Sequence, residues 1–173
     1  MNDVVETRWW WVRHAVVPNA QSVIYGSEDK PCDTSDWASF DGLAALLPKD
    51  AVWVMTDLQR THQTSKAIRD AGLSGPDSLI EPDFKEQSLG AWHGRTWDEI
   101  RDIEKIAFDA FWRLPAYGKP PSGESFADLY GRTTPVIERL NAAHQGRDII
   151  AVTHGGTIRA AVAMALEIGR AHV

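Results

Sequence analysis

The 173-residue chain has a single cysteine, Cys32. It can form no internal disulfide and no cysteine-built zinc site, and Cys32 reads as a core or loop thiol. No apolar run is long enough to span a bilayer. Met1-Asn2-Asp3 lacks the basic and apolar regions of a signal peptide. A cytoplasmic location with no membrane partner is the expectation. Positive charge is also in deficit: Lys and Arg number 18 against 24 Asp and Glu, a net charge of −6. A general nucleic-acid binder is usually basic, so no nucleic-acid partner is expected. A small anionic ligand stays open, because a few arginines can make a positive pocket in an acidic protein. The chain shows no internal repeat and no domain linker.

What is present is an ordinary globular composition, 43% hydrophobic and 24% charged, with eight tryptophans. That suits one domain with a real core. The organising stretch is Trp9-Trp10-Trp11-Val12-Arg13-His14-Ala15, a buried strand by its aromatic and β-branched content that runs out into an Arg-His pair. A polar loop follows from Asn19 to Asp36, then a short helix from Phe40 to Leu47. Ala51-Val52-Trp53-Val54-Met55 reads as a second strand, apolar throughout as in a sheet covered on both faces. A helix over Leu58 to Ala71 and a short strand over Ser78 to Glu81 come next. Thr96-Trp97-Asp98-Glu99 has the form of a capping box, and the stripe Trp97, Ile100, Ile103, Ala107, Phe111 and Leu114 predicts a core-facing helix side. Ser125 starts another helix, which Pro135 should kink or split. Asp148 to Thr153 is a fourth strand, His154-Gly155-Gly156 a tight turn, and Thr157 to Leu166 a helix. Strands separated by helices predict a three-layer, doubly wound α/β fold: a mainly parallel sheet with helices on both faces.

In a parallel sheet the polar residues after each strand share one edge, where ligands bind in such folds. Arg13 and His14 end the first strand, Arg60 follows the second, Glu86 the third, and His154 ends the fourth. Two guanidinium groups suit a dianion gripped in a fork. The Gly155-Gly156 turn at a helix start adds backbone N–H donors for the same anion. Such a set suits phosphoryl transfer, where positioning and charge neutralisation do most of the work.

Arg13-His14-Ala15 resembles the Arg-His-Gly motif of the histidine phosphatase superfamily, which includes cofactor-dependent phosphoglycerate mutases. Thr56-Asp57-Leu58-Gln59-Arg60-Thr61-His62-Gln63-Thr64 is similar to the family's second-arginine segment. Glu86 with Leu89-Gly90-Ala91-Trp92-His93-Gly94 is similar to its acid segment. Gly123-Glu124-Ser125 with Arg132 matches a further signature, and His154-Gly155-Gly156-Thr157-Ile158-Arg159 the second-histidine segment.

The resemblance implies that His14 attacks phosphorus and becomes a phosphohistidine. It implies that Arg13, Arg60 and His154, with the Gly155 backbone, hold the phosphate, and that Glu86 acts as acid and then as base. It implies no metal and no cofactor, and a small phosphorylated metabolite as partner. Hydrolysis is the expected outcome, because the stretch between Glu86 and His154 is short and mutases of the family tend to carry extra segments there. Mutase transfer, a non-catalytic phospho-ligand binder and an inactive truncated fragment are the alternatives.

The chain departs from the pattern at Ala15, at Val16-Val17 in place of Glu-Thr, at Asn19, which is out of register, and at His93, where Glu is common. Phosphate contacts from the Val16-Val17 loop are therefore not carried over. His62 and His144 fall on helices and read as surface residues. Trp92 is a candidate pocket wall.

The family continues past the His154 helix into further strands, and this chain stops. Its last seven residues, Glu167-Ile168-Gly169-Arg170-Ala171-His172-Val173, back-translate as GAG-ATC-GGA-AGA-GCA-CAC-GTC, a common sequencing-adapter read. The expectation is a histidine phosphatase-like domain over 1–166, a non-native tail over 167–173, missing C-terminal strands and an unpaired sheet edge. The same tail encoded in intact genomic DNA would refute it.

Overall fold

The computed structural model describes residues 5–18 and 23–167. Strands β1 (Arg8–Arg13), β2 (Ala51–Met55), β3 (Leu79–Ile80) and β4 (Asp148–Thr153) form one parallel sheet in the order β1-β4-β2-β3. Helices α1 (Trp37–Leu46), α2 (Gln59–Asp70), α3 (Trp97–Ile103), α4 (Lys105–Arg113), α5 (Phe126–Ala143) and α6 (Gly155–Ala165) complete the described residues, with short 3-10 turns at Pro82–Phe84 and Gly90–Trp92.

The two-residue period of the strands divides the core into two layers. Trp10 and Val12 of β1, Ala51 and Trp53 of β2, and Ile150 and Val152 of β4 pack with Phe40 and Leu47 at α1 and Ala67 and Ile68 of α2. Trp9, Trp11, Val52, Val54, Ile149 and Ala151 face the other way, onto Val136, Ile137 and Leu140 of α5 and Ala161 of α6. This is the expected three-layer, mainly parallel α/β fold. A third cluster, Ile24, Trp92, Ile100 and Phe111, lies under α3 and α4.

Four expectations change. β1 is not a fully buried strand: among the described residues it pairs with β4 alone, and Trp9, Trp10 and Trp11 are half-buried. The edge position lets two of the indole N–H groups reach polar partners, Trp9 Nε1 to Asn141 Oδ1 (2.7 Å) and Trp10 Nε1 to Asp148 Oδ1 (2.9 Å). The stripe from Trp97 to Leu114 is not one core-facing side. Glu104 leaves the helical region (φ −118°, ψ 41°) and separates α3 from α4. Ile100 and Phe111 are buried, whereas Ile103 is 74% and Leu114 58% exposed. Pro135 does not split α5, which runs through it. Helix α1 starts ahead of Phe40, because the Asp36 side chain accepts from Ser39 N–H and caps it. The expected capping box forms at Thr96, and a second, at Ser125, starts the helix expected there. Residues 168–173 of the expected tail, and Asn19, lie outside the described residues.

Candidate active site

Every strand is parallel, so Arg13, His14, Thr56 and His154 emerge at the same edge of the sheet. His14 extends β1 by one hydrogen bond, from its N–H to Thr153 O (2.9 Å). Its ring is buried, and its Nδ1 lies 2.7 Å from Ala15 O. A carbonyl only accepts, so Nδ1 carries the hydrogen and the lone pair is left on Nε2. Burial pushes the His14 pKa down to about 4, with Arg60 and Arg13 adding repulsion against the charged form; the bond to Ala15 opposes them. The ring is therefore neutral at pH 7.

Arg60 stands at the start of α2 and is fully buried. It donates Nε–H to His154 Nδ1 (3.3 Å), Nη1–H to Glu28 O (2.6 Å) and Nη2–H to Gly26 O (2.8 Å). Its guanidinium also lies 5.3 Å from the Tyr25 ring centre. Nδ1 of His154 accepts, so its hydrogen sits on Nε2, which donates to Thr56 Oγ1 (3.0 Å). Burial and then Arg60 hold the His154 pKa down to about 2. The His14 and His154 rings are 5.2 Å apart between centres. Arg60 and His154 thus form a buried layer behind His14. Both ring nitrogens of His154 are committed within the protein, and Arg60 keeps only part of its donor set open.

Arg13 differs. Its side chain is exposed and has no hydrogen-bond or ion-pair partner among the described residues. A methyl group placed on Gly155 would lie 3.7 Å from Arg13 Nε and 3.9 Å from Glu86 Oε2. Arg13 and Glu86 therefore flank the start of α6. The Glu86 carboxylate accepts from Gly156 N–H (3.0 Å) and from Gln87 N–H (2.9 Å). A carboxylate is favoured at a helix N-terminus by the macrodipole. That end of α6 is shared: Gly156 N–H is spent on Glu86, while Gly155 N–H has no partner among the described residues. A side chain at Gly156 would strike Glu86 Oε1 at 2.2 Å, so glycine is what admits the carboxylate.

The segment carrying Glu86 is pinned from behind. Glu124 accepts from Ser88 N–H (2.8 Å) and pairs with Arg132 Nε (2.8 Å), and Arg132 also donates to Asp83 O and to Glu86 O (3.2 Å). The Gly-Glu-Ser and Arg132 signature thus holds the backbone of the segment that carries Glu86. His93 does not stand in for an acid either; its Nε2 accepts from Leu89 N–H (3.0 Å) and closes the turn. Trp92 is fully buried, with Nε1–H on Glu104 (3.0 Å), and is core rather than pocket wall.

Sequence reasoning missed Tyr25, whose ring meets His14 edge-on at 6.4 Å and covers Arg60. Its only signal was a Tyr-Gly pair in a long polar loop. Gly26 is required there: its φ is +40°, and a Cβ would lie 2.5 Å from His93 Nε2. Among the described residues no group of three or more His, Cys, Asp or Glu side chains is placed to hold a metal ion.

A three-layer α/β sheet with two neutral imidazoles, two guanidinium groups and one carboxylate gathered at its strand ends defines a class of anion-handling proteins. The chain belongs to the histidine phosphatase superfamily (branch 1), whose profile matches residues 9–173. It is 34% identical over 106 residues, 61% of its length, to a metal-independent phosphoserine phosphatase of Arabidopsis thaliana, and spans 44% of that relative. It is 31% identical over 153 residues, 86% of its length, to phosphoglycerate mutase-like protein 4 of the same plant, and spans 66% of it. Among solved structures it superposes on a mycobacterial glucosyl-3-phosphoglycerate phosphatase in complex with VO3, with TM-score 0.74 and 27% identity, covering 91% of this chain and 81% of that one.

Proposed function

We propose that the protein is a phosphomonoesterase that hydrolyses a small phosphorylated metabolite through a phosphohistidine on His14. The observation that carries this reading is the His14 tautomer: Nδ1–H is fixed on Ala15 O in a ring held neutral, leaving Nε2 as a nucleophile. Nε2 attacks phosphorus in line and the ester P–O bond breaks. Glu86, as the acid, gives its proton to the departing alkoxide. Water then attacks the phosphohistidine while Glu86 takes its proton, the P–N bond breaks, and inorganic phosphate leaves. Arg13 grips the phosphate oxygens directly. Arg60 adds charge and its remaining N–H groups, and the unpaired Gly155 N–H adds a backbone donor. His154 offers Nε2–H once it turns from Thr56. The phosphoserine phosphatase relative supports hydrolysis, and the similar phosphatase structure complexed with VO3 supports an oxyanion ligand. A cytoplasmic location belongs to the same proposal.

Brief exposure to a radiolabelled phosphomonoester, followed by quenching, tests the intermediate. The expected result is an acid-labile label on the protein. His14→Ala should lose both the label and at least about 10³-fold in turnover. Wild-type turnover in that variant would refute the reading, and isomerised phosphoglycerate without free phosphate would replace hydrolysis by mutase transfer.

A further inference from the structure

A second pocket, of about 370 Å³, opens beside the proposed acid and is used by no step above. Trp97, Phe111, Trp112 and Pro115 wall it, and Gln87 and Arg159 are polar members of its lining. That volume is in the range of small-molecule sites. Three observations bear on what it takes.

The first is its position. Gln87 directly follows Glu86. Arg159 lies four residues beyond Gly155 in α6, hence on the same helix face about 6 Å further along. A side chain on Gly155 would point at Arg13 and Glu86, so Arg159 leaves the helix on that same side. The pocket therefore begins within a helical turn of the place where the leaving group takes its proton.

The second is charge. Arg95, Arg132, Arg139 and Arg147 each hold a carboxylate. Arg159 is exposed and, among the described residues, has no hydrogen-bond or ion-pair partner. Arg13, at the phosphate end, likewise has no hydrogen-bond or ion-pair partner among the described residues.

The third is the wall. The Trp97 and Trp112 rings lie 5.6 Å apart, and these residues are 37% and 52% exposed. Partly exposed indoles that line one pocket with a cation suit a flat apolar body that carries an anionic group.

From these we infer that the pocket is the leaving-group subsite, built for an arylalkyl alcohol that bears a second acidic group. The phosphate sits at His14 and Arg13, the aryl body against Trp97 and Trp112, and the carboxylate on Arg159. This rests on the phosphomonoesterase reading, of which it specifies the substrate class.

The test compares kcat/KM for ethyl phosphate, 2-phenylethyl phosphate and 2-(4-carboxyphenyl)ethyl phosphate, all esters of unactivated alkyl alcohols. Two successive gains of about tenfold or more are expected. Trp112→Ala should erase the first gain and Arg159→Gln the second, with ethyl phosphate unchanged in both. Equal kcat/KM for the three esters, or variants that lower all three alike, overturns the inference. Binding of the alcohol 2-(4-carboxyphenyl)ethanol, followed by calorimetry, needs no catalysis. Binding weakened about tenfold in Arg159→Gln supports the subsite even if no ester is turned over, a result that would sink the phosphatase reading alone. No binding to the wild type, or equal binding to the variant, overturns the subsite.

Discussion

At the residue scale the decisive quantity is which protons are absent. An imidazole is nucleophilic only when neutral, and the His14 pKa is lowered to about 4 by burial first and by the nearby guanidinium groups after. The acid limb of kcat/KM should therefore fall near pH 4 and not near the ordinary histidine value of about 6.5. A pH-rate profile reads this directly, and a limb at 6.5 assigned to His14 would contradict it. Gly156 gives a second prediction. A methyl group there collides with Glu86 Oε1, so Gly156→Ala should push the carboxylate off the helix start. The expected loss is about 10²-fold in kcat with little change in KM, checked by steady-state kinetics alongside a thermal melt that shows the fold retained. The positions of His14, Arg13, Arg60, Glu86 and His154 could be read from sequence, because each lies at the end of a strand or in the segment after it. The commitment of both His154 ring nitrogens could not, since it depends on Thr56 and Arg60 arriving from another strand and helix.

At the element scale, capping chemistry was legible and long-range ties were not. Thr96 and Ser125 announce their helices within four residues, and both boxes form. The break at Glu104 was invisible, because it is set by what Glu104 reaches outside its helix: Trp92 Nε1 and Arg95. A hydrophobic period alone continues through such a break. The same kind of tie governs the acid segment. Arg132 on α5 bridges Glu124, Asp83 O and Glu86 O, and both charged side chains are mostly buried. Arg132→Gln should cost about 2 kcal/mol of stability and lower kcat on every ester alike, because it loosens the backbone under Glu86. Urea unfolding and kinetics on two unrelated substrates check both parts; a stability loss with unaltered kcat would leave the bridge purely structural.

At the scale of the whole molecule, the buried imidazoles tie stability to pH. In the unfolded chain histidine takes its proton near pH 6.5, while in the fold His14 does so near 4 and His154 near 2. Between those values the unfolded state holds more protons, so acidification favours unfolding. The loss starts as pH falls through about 6.5 and, for His14, levels off near 4. At pH 5 it amounts to about 2 kcal/mol for each of the two histidines. Urea midpoints at pH 7 and pH 5 should show it, and equal midpoints would refute it. The parallel three-layer fold was legible from alternating strands and helices, but the strand order was not, since no local signal says which strand takes the middle.

That order has a consequence for how the chain comes into being. The strand that joins β1 to β2 is β4, and Trp10 meets Asp148 from 138 positions away. During synthesis β2 can find β3 early, but β1 has nothing to lie against until Thr153 has left the ribosome. Until then the triple tryptophan is a bare apolar segment, the kind that chaperones hold. Closing the sheet is a late, long-range event, which places this protein among the slow folders. Of the four described strands β4 is made last, and it is the one that brings both imidazoles to the same edge.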